Sequence, residues 1–278
     1  MLHEPLRESR VPLVDTARRR FRLSDAHISV LGLLVEESGT PDELSQARDE
    51  LRDAGLLDAD DKIVADLYPL VSTLMEPRVI ARIEVTGPQG VTNNGAVMGD
   101  EFIFVHEAWP GATESEYVPA EPETLVWSLA RMVDLHRDFT DGVDGDEVIE
   151  STMGLLDQVI ERMEAGESAE PETVAEATGA PVRLAEILAE LNCMWRMTVV
   201  WQGDGRTRTD NGLAVSALAV WDCGIEGYWV RELPAEPVVE GQVDAAAELR
   251  VRRASAKELW QRVTDLLPDG AQLASSAP

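Results

Sequence analysis

Residues 195–221 read WRMTVVWQGDGRTRTDNGLAVSALAVW. In the first eight, Trp195, Met197, Val199 and Trp201 alternate with Arg196, Thr198, Val200 and Gln202. A period of two with one apolar side is the pattern of a half-buried β-strand. From Leu213 onward both sides are apolar. Leu213, Val215, Ala217, Ala219 and Trp221 stand against Ala214, Ser216, Leu218 and Val220. That composition predicts a central strand, and its small residues admit close approach by a helix or another chain. Asp204-Gly205 between the two runs is a hairpin turn signal. The segment is therefore antiparallel ladder.

Working outward, strands are also expected at GYWVRELP (227–234) and AAELRVRR (246–253), with a closing helix at SAKELWQRVTDLLP (255–268). Helices precede the ladder: EVIESTMGLLDQVIERMEAG (147–166), PETVAEATG (171–179) and APVRLAEILAELN (180–192). The first half has the same order. Ser24 or Asp25 caps a helix with Ile28, Leu31 and Val35 at helical spacing. Thr40 and Glu43 form a capping box for DELSQARDELRDAGLL (42–57), whose stripe is Leu44, Ala47, Leu51 and Ala54. A third helix, 63–75, stops before Pro77. Strands follow at RVIARIEVT (78–86), EFIFVHEAW (101–109) and SEYVP (115–119), with a turn at Asn93-Asn94-Gly95, and a helix covers 121–137. At the start, Val11, Val14 and Phe21 form an apolar edge beside Arg18, Arg19, Arg20 and Arg22.

Helices, antiparallel strands and one helix thus occur twice, and the closing helices resemble one another, TLVWSLARMVDL against KELWQRVTDLL. The expected fold class is α+β: a quasi-two-fold repeat in which two halves share a central antiparallel sheet flanked by helical bundles. The halves are 1–137 and 147–268, joined by an acidic link at 138–146 and followed by a disordered tail at 269–278, all in one combined domain.

Net charge is −28. Phosphate backbones and anionic membranes need Lys and Arg, so the charge argues against nucleic acid and membrane, and neither is expected as a partner. High solubility and a basic or apolar protein partner fit this charge. No apolar run approaches the roughly 20 residues of a membrane helix, and the N-terminus lacks a secretory signal pattern. Cys193 and Cys223 read as reduced core residues and the location as cytoplasmic.

The chemical motifs are few. His3, His27, His106 and His136 show no metal-ligand spacing. DFTDGVDGDEVIE fails as a calcium loop because neither Val143 nor Ile149 is the glycine its sharp turn requires. Phosphate loops, nucleophile elbows and CxxC pairs are missing from the sequence. No catalytic residue, cofactor or metal is expected. Two alternatives stay open. One is an enzyme around His106, Glu107 and Tyr117. The other is a winged-helix regulator within 24–62, opposed by the eight acidic residues in 41–61. Arg206 and Arg208 after the Asp204-Gly205 turn read as solubilising residues.

The run LRDAGLLD (51–58), DADDK (58–62) and LMEPRVIARIEV (74–85) resembles the EspG family of actinobacterial proteins over residues 23–137, and the second half matches by order of elements. The resemblance implies a quasi-two-fold α/β fold. It also implies a cytosolic, non-enzymatic chaperone of type VII (ESX) secretion that covers an apolar helical tip of PE–PPE substrates. By position, partner-binding falls to Trp195, Trp201, Leu213, Val215, Trp221, Tyr228, Trp229 and Val230, in a monomer or homodimer. Those tryptophans are read either as core of their own half or as an exposed aromatic patch.

Overall fold

The computed structural model describes residues 14–15, 18–136, 147–165, 170–202, 212–233, 244–269 and 272–273. Val11, the 138–146 link, the Asp204-Gly205 turn and most of the 269–278 tail lie outside the described residues.

The strands are β1 (Val14–Asp15), β2 (Arg20–Ser24), β3 (Val79–Gly87), β4 (Gly90–Met98), β5 (Ile103–Ala108), β6 (Glu114–Pro119), β7 (Val148–Thr152), β8 (Cys193–Gln202), β9 (Leu213–Asp222), β10 (Tyr228–Arg231) and β11 (Glu248–Ala254). The helices are α1 (Asp25–Val35), α2 (Ser45–Asp53), α3 (Tyr68–Met75), α4 (Pro122–Met132), α5 (Met153–Glu164), α6 (Pro171–Thr178), α7 (Val182–Ala189) and α8 (Ala256–Leu266). The fold is α+β, as expected, with an eleven-stranded sheet in the order β1-β2-β6-β5-β4-β3-β8-β9-β10-β11-β7. The described pairings are antiparallel. The doubled plan is explicit. Apart from the two-residue β1, each half runs strand, three helices, four strands, helix, and its last strand returns to pair with the strand before its helices: β6 with β2, and β11 with β7.

Contacts divide the chain into two compact units, residues 1–80 with 94–125, and residues 81–93 with 126–278. In the first, Phe21 and Leu23 of β2 face inward and join Val30, Leu31, Leu51, Leu67, Leu70 and Phe104 in one core. Outward-facing Arg20 pairs with Glu116 of β6 at 2.6 Å. α1 starts on Ser24, whose Oγ accepts the His27 backbone N–H at 3.3 Å. The Ser24 N–H donates to His27 Nδ1 at 3.0 Å. His27 Nε2 therefore carries the proton and donates to Glu50 Oε2 at 3.0 Å, so a buried imidazole ties α1 to α2.

Four local expectations are corrected. The buried side of α1 is His27, Val30 and Leu31, which leaves Val35 48% exposed. Thr40 caps nothing. A single 3-10 turn at Asp42–Leu44 precedes α2, and its N-cap, Pro41, makes no side-chain bond. Asn93-Asn94-Gly95 lies inside β4, where Asn94 is buried and its Oδ1 accepts the Ala108 N–H at 2.9 Å. Residues Val148–Thr152 form β7, not the first turn of the next helix, and Thr152 caps α5.

In the second unit, β8 and β9 pair along their full length, from Cys193↔Asp222 to Gln202↔Leu213. A tight connection follows β9. Gly227 has φ 77° and ψ −159°, a region essentially reserved for glycine, and this lets β10 return at once along β9. α5, α6 and α7 bury Leu156, Val159, Val174, Leu184, Ile187 and Leu188 against Ile149, Trp221, Trp229, Leu249 and Val251. α8 starts on Ser255, whose side chain accepts the Glu258 N–H, and packs on β9.

Candidate partner-binding surface

The register of the second unit sorts its side chains. Cross-strand neighbours share a face of the sheet. Trp195, Met197, Val199 and Trp201 lie opposite Val220, Leu218, Ser216 and Ala214. Tyr228 and Val230 continue that face. On the reverse face, Arg196, Thr198, Val200 and Gln202 oppose Ala219, Ala217, Val215 and Leu213. Trp221, Trp229 and Arg231 extend it.

Six of the eight expected partner-binding residues are buried: Trp195, Trp201, Trp221, Tyr228, Trp229 and Val230. The exposed aromatic patch is thereby corrected. The cause is coverage. The helices α5–α7 seal the Trp221–Trp229 end of one face. Trp229 is also held by its Nε1–H, which donates to the Glu226 carbonyl at 3.2 Å, and by Arg183 at 5.6 Å from its ring centroid. Arg183 in turn bonds Glu147 (2.8 Å), Glu186 (2.9 Å) and Glu226 (2.6 Å), and these carboxylates, Glu147 first, raise its pKa despite burial. The Tyr228 hydroxyl meets His136 Nδ1 at 3.2 Å.

Coverage stops partway along the reverse face. Val215 is 50% exposed, while Val200, Leu213, Ala217, Ala219 and Thr198 are half-buried and Arg196 and Gln202 exposed. Two of the predicted residues, Leu213 and Val215, thus belong to a solvent-facing strip of small and branched apolar side chains. At its edge Arg196 and Arg231 flank Ala219 across three adjacent strands. Arg231 is half-buried. Burial, and then the like charge of Arg196, lower its pKa against an opposing pull from Asp157. Alternation places Val200 and Arg196 on this strip, but which face the helices leave open is not written in the strand itself.

A separate open groove of about 750 Å³ in this unit is lined by Leu135, His136, Ala256, Lys257, Trp260 and Gln261, among others. It was not anticipated, because it forms between the end of α4 and the start of α8.

The alternative catalytic trio does not converge. His106 and Tyr117 are cross-strand neighbours stacked at 5.3 Å on the covered face of the first unit. Glu107 points to the opposite face, beside Glu116. Burial holds the His106 imidazole down at about 4 and pushes the Tyr117 phenol up to about 12. Both are neutral near pH 7, and His106 Nδ1 is buried without a hydrogen-bond partner among the described residues. The thiols of Cys193 and Cys223 are free, and burial raises them to about 11 and about 12, so both stay protonated. Within 41–61 the Arg52 guanidinium is taken up by Asp49 and Asp61. Among the described residues there is no cluster of three metal-ligating side chains, and no helix long and apolar enough to cross a membrane.

No protein-family model and no curated protein matches the chain. Among solved structures, the fold is similar to that of the Mycobacterium tuberculosis type VII secretion system chaperone EspG5, determined in complex with a PE25–PPE41 dimer. The likeness covers 90% of this chain and 98% of that one, at a TM-score of 0.52 and 11% sequence identity. At that identity the similarity is one of fold.

Proposed function

We propose that this protein is an EspG-like, non-enzymatic chaperone or adaptor of the cytoplasm that binds a helical protein, with type VII secretion substrates of PE–PPE character as the client class. The observation that carries the reading is the open apolar strip on β8 and β9, formed by Val200, Leu213, Val215, Ala217 and Ala219. A bare sheet face of small and β-branched residues is a site where a helix is accepted at close range. Unpartnered apolar surface of this kind marks protein interaction sites. Fold similarity to a chaperone solved with its protein cargo supports the same class. The six buried aromatic and aliphatic candidates stiffen the strands beneath this surface and make no contact themselves.

Affinity capture from the native host tests the reading. Immobilised wild-type protein is expected to retain a helical secretion-locus protein, and Val215→Asp, which places a charge in the strip without disturbing the core, is expected to release it. Equal retention by both proteins would remove the strip from the function.

A further inference from the structure

The strip carries a charge signature that an apolar client alone does not explain. The protein has 52 acidic and 24 basic residues, and in the second unit Arg183, Arg250, Arg252, Arg253 and Arg262 all hold carboxylates. Arg196 and Arg231 do not. Neither has a carboxylate at ion-pair distance among the described residues. Among the described residues the Arg231 guanidinium donates to Met153 Sδ, at 3.2 Å. The two arginines share a face and flank Ala219, which sets their Cα atoms roughly 10 Å apart across two strand spacings. Asp157 attracts Arg231 without pairing with it. The N-terminal amides of α5 nearby add nothing to bind with. Met153 N–H and Gly154 N–H donate to the carbonyls of Ala247 and Ala245, and Leu155 N–H to Thr152 Oγ1.

Two like charges side by side, with no carboxylate at ion-pair distance among the described residues, cost the free protein stability. Where so many carboxylates are available, leaving both unpaired reserves their donors. A guanidinium fork with a small apolar floor between two copies accepts a planar carboxylate in bidentate fashion.

We propose that Arg196 and Arg231 clamp a carboxylate carried by the client's docking helix, an Asp or Glu set within an otherwise apolar face. The inference rests on the docking strip and names its partner's chemistry. The apolar strip supplies contact area, and the arginine pair fixes the register of the helix and rejects segments that lack the acid.

The test uses the full chain, immobilised, and cytosolic extract of the native host as the probe. Three variants are compared with the wild type: Arg196→Gln/Arg231→Gln, Arg196→Lys/Arg231→Lys and Val215→Asp. The double glutamine variant is expected to keep its far-UV circular dichroism and a thermal midpoint at or above wild type, because like-charge repulsion is relieved. Its retention of the client should fall at least about tenfold. In the double lysine variant, a water-soluble carbodiimide is expected to form an amide between position 196 or 231 and a client Asp or Glu, located by peptide mass spectrometry. If nothing is captured in a Val215-dependent way, the docking reading fails and this inference with it. If Val215-dependent capture persists while the glutamine variant retains the client fully, or while the lysine variant yields no amide, the arginine clamp alone is overturned.

Discussion

Trp229 separates a core role from an interface role by a number. Its indole is fully enclosed. Burying a tryptophan removes about 150–250 Å² from water, worth an upper estimate of about 4–6 kcal/mol at about 25 cal/mol/Å². Truncation of buried aromatics to alanine costs about 3–5 kcal/mol in practice. The bond from Nε1 to the Glu226 carbonyl contributes about 1 kcal/mol of this, and the Arg183 contact about 0.5 kcal/mol. Trp229→Ala is therefore expected to cost about 4 kcal/mol. That is a large share of a domain stability of about 5–15 kcal/mol. Trp229→Phe keeps one ring but loses the N–H donor and part of the area, for a cost of about 2 kcal/mol. Val215→Ala, on the open strip, is expected to cost about 0.5 kcal/mol. Urea unfolding followed by far-UV circular dichroism, with the m-value checked for constancy, reads all three. A cost below about 1 kcal/mol for Trp229→Ala, or a Val215→Ala cost equal to it, would refute the assignment of coverage.

Two further outcomes follow from the buried polar groups. The His106 imidazole titrates at 6.5 when exposed and at about 4 in the fold. Between those values the unfolded chain binds more protons, so stability falls as pH drops from 6.5 towards 4, by up to about 1.4 kcal/mol per pH unit. Urea midpoints of wild type and His106→Phe at pH 7 and pH 4.5 should show a smaller acid loss in the variant; parallel losses would contradict the burial of this group. Arg183→Ala takes the arginine partner from Glu186 and Glu226, leaves Glu147 only its longer contact with Arg253, and uncovers Trp229, and a cost of about 2–3 kcal/mol in the same unfolding assay is expected, with Arg183→Lys recovering less than half because an ammonium cannot replace the fork.

Much of the fold is legible because its periods are clean. β8 alternates without interruption, β9 and β10 after it are rich in β-branched and aromatic residues, and the helices before them carry apolar stripes, with Thr152 capping α5 and Gly179 ending α6. The missed strands fail for local reasons. In β2 the alternation is present, but Arg20 and Arg22 look like a basic run, and only the ion pair with Glu116 on β6 shows them to be the outer face of a strand. β7 runs directly into α5 through Thr152, so a strand and its following helix read as one amphipathic stretch. β4 is hidden by Asn94 and Gly95. The asparagine bonds a neighbouring strand, and the glycine stands opposite the bulky His106. At the candidate site, alternation assigns every side chain its face, but solvent exposure depends on how far helices cover each face, a tertiary fact. Hence Val215 and Leu213 are surface and four tryptophans of the same segment are core.

Hydroxyl-radical footprinting of the free protein and of its captured complex bears most directly on the docking surface. Val215 and Leu213 should be oxidised in the free protein and protected in the complex. Trp195, Trp221 and Trp229 should stay silent in both, and Trp127, 63% exposed, reports free radical access in the uncomplexed protein. Val215 and Leu213 reacting equally with and without the client, or the buried tryptophans reacting in the free protein and falling silent on binding, would contradict a docking site on the open face of β8 and β9.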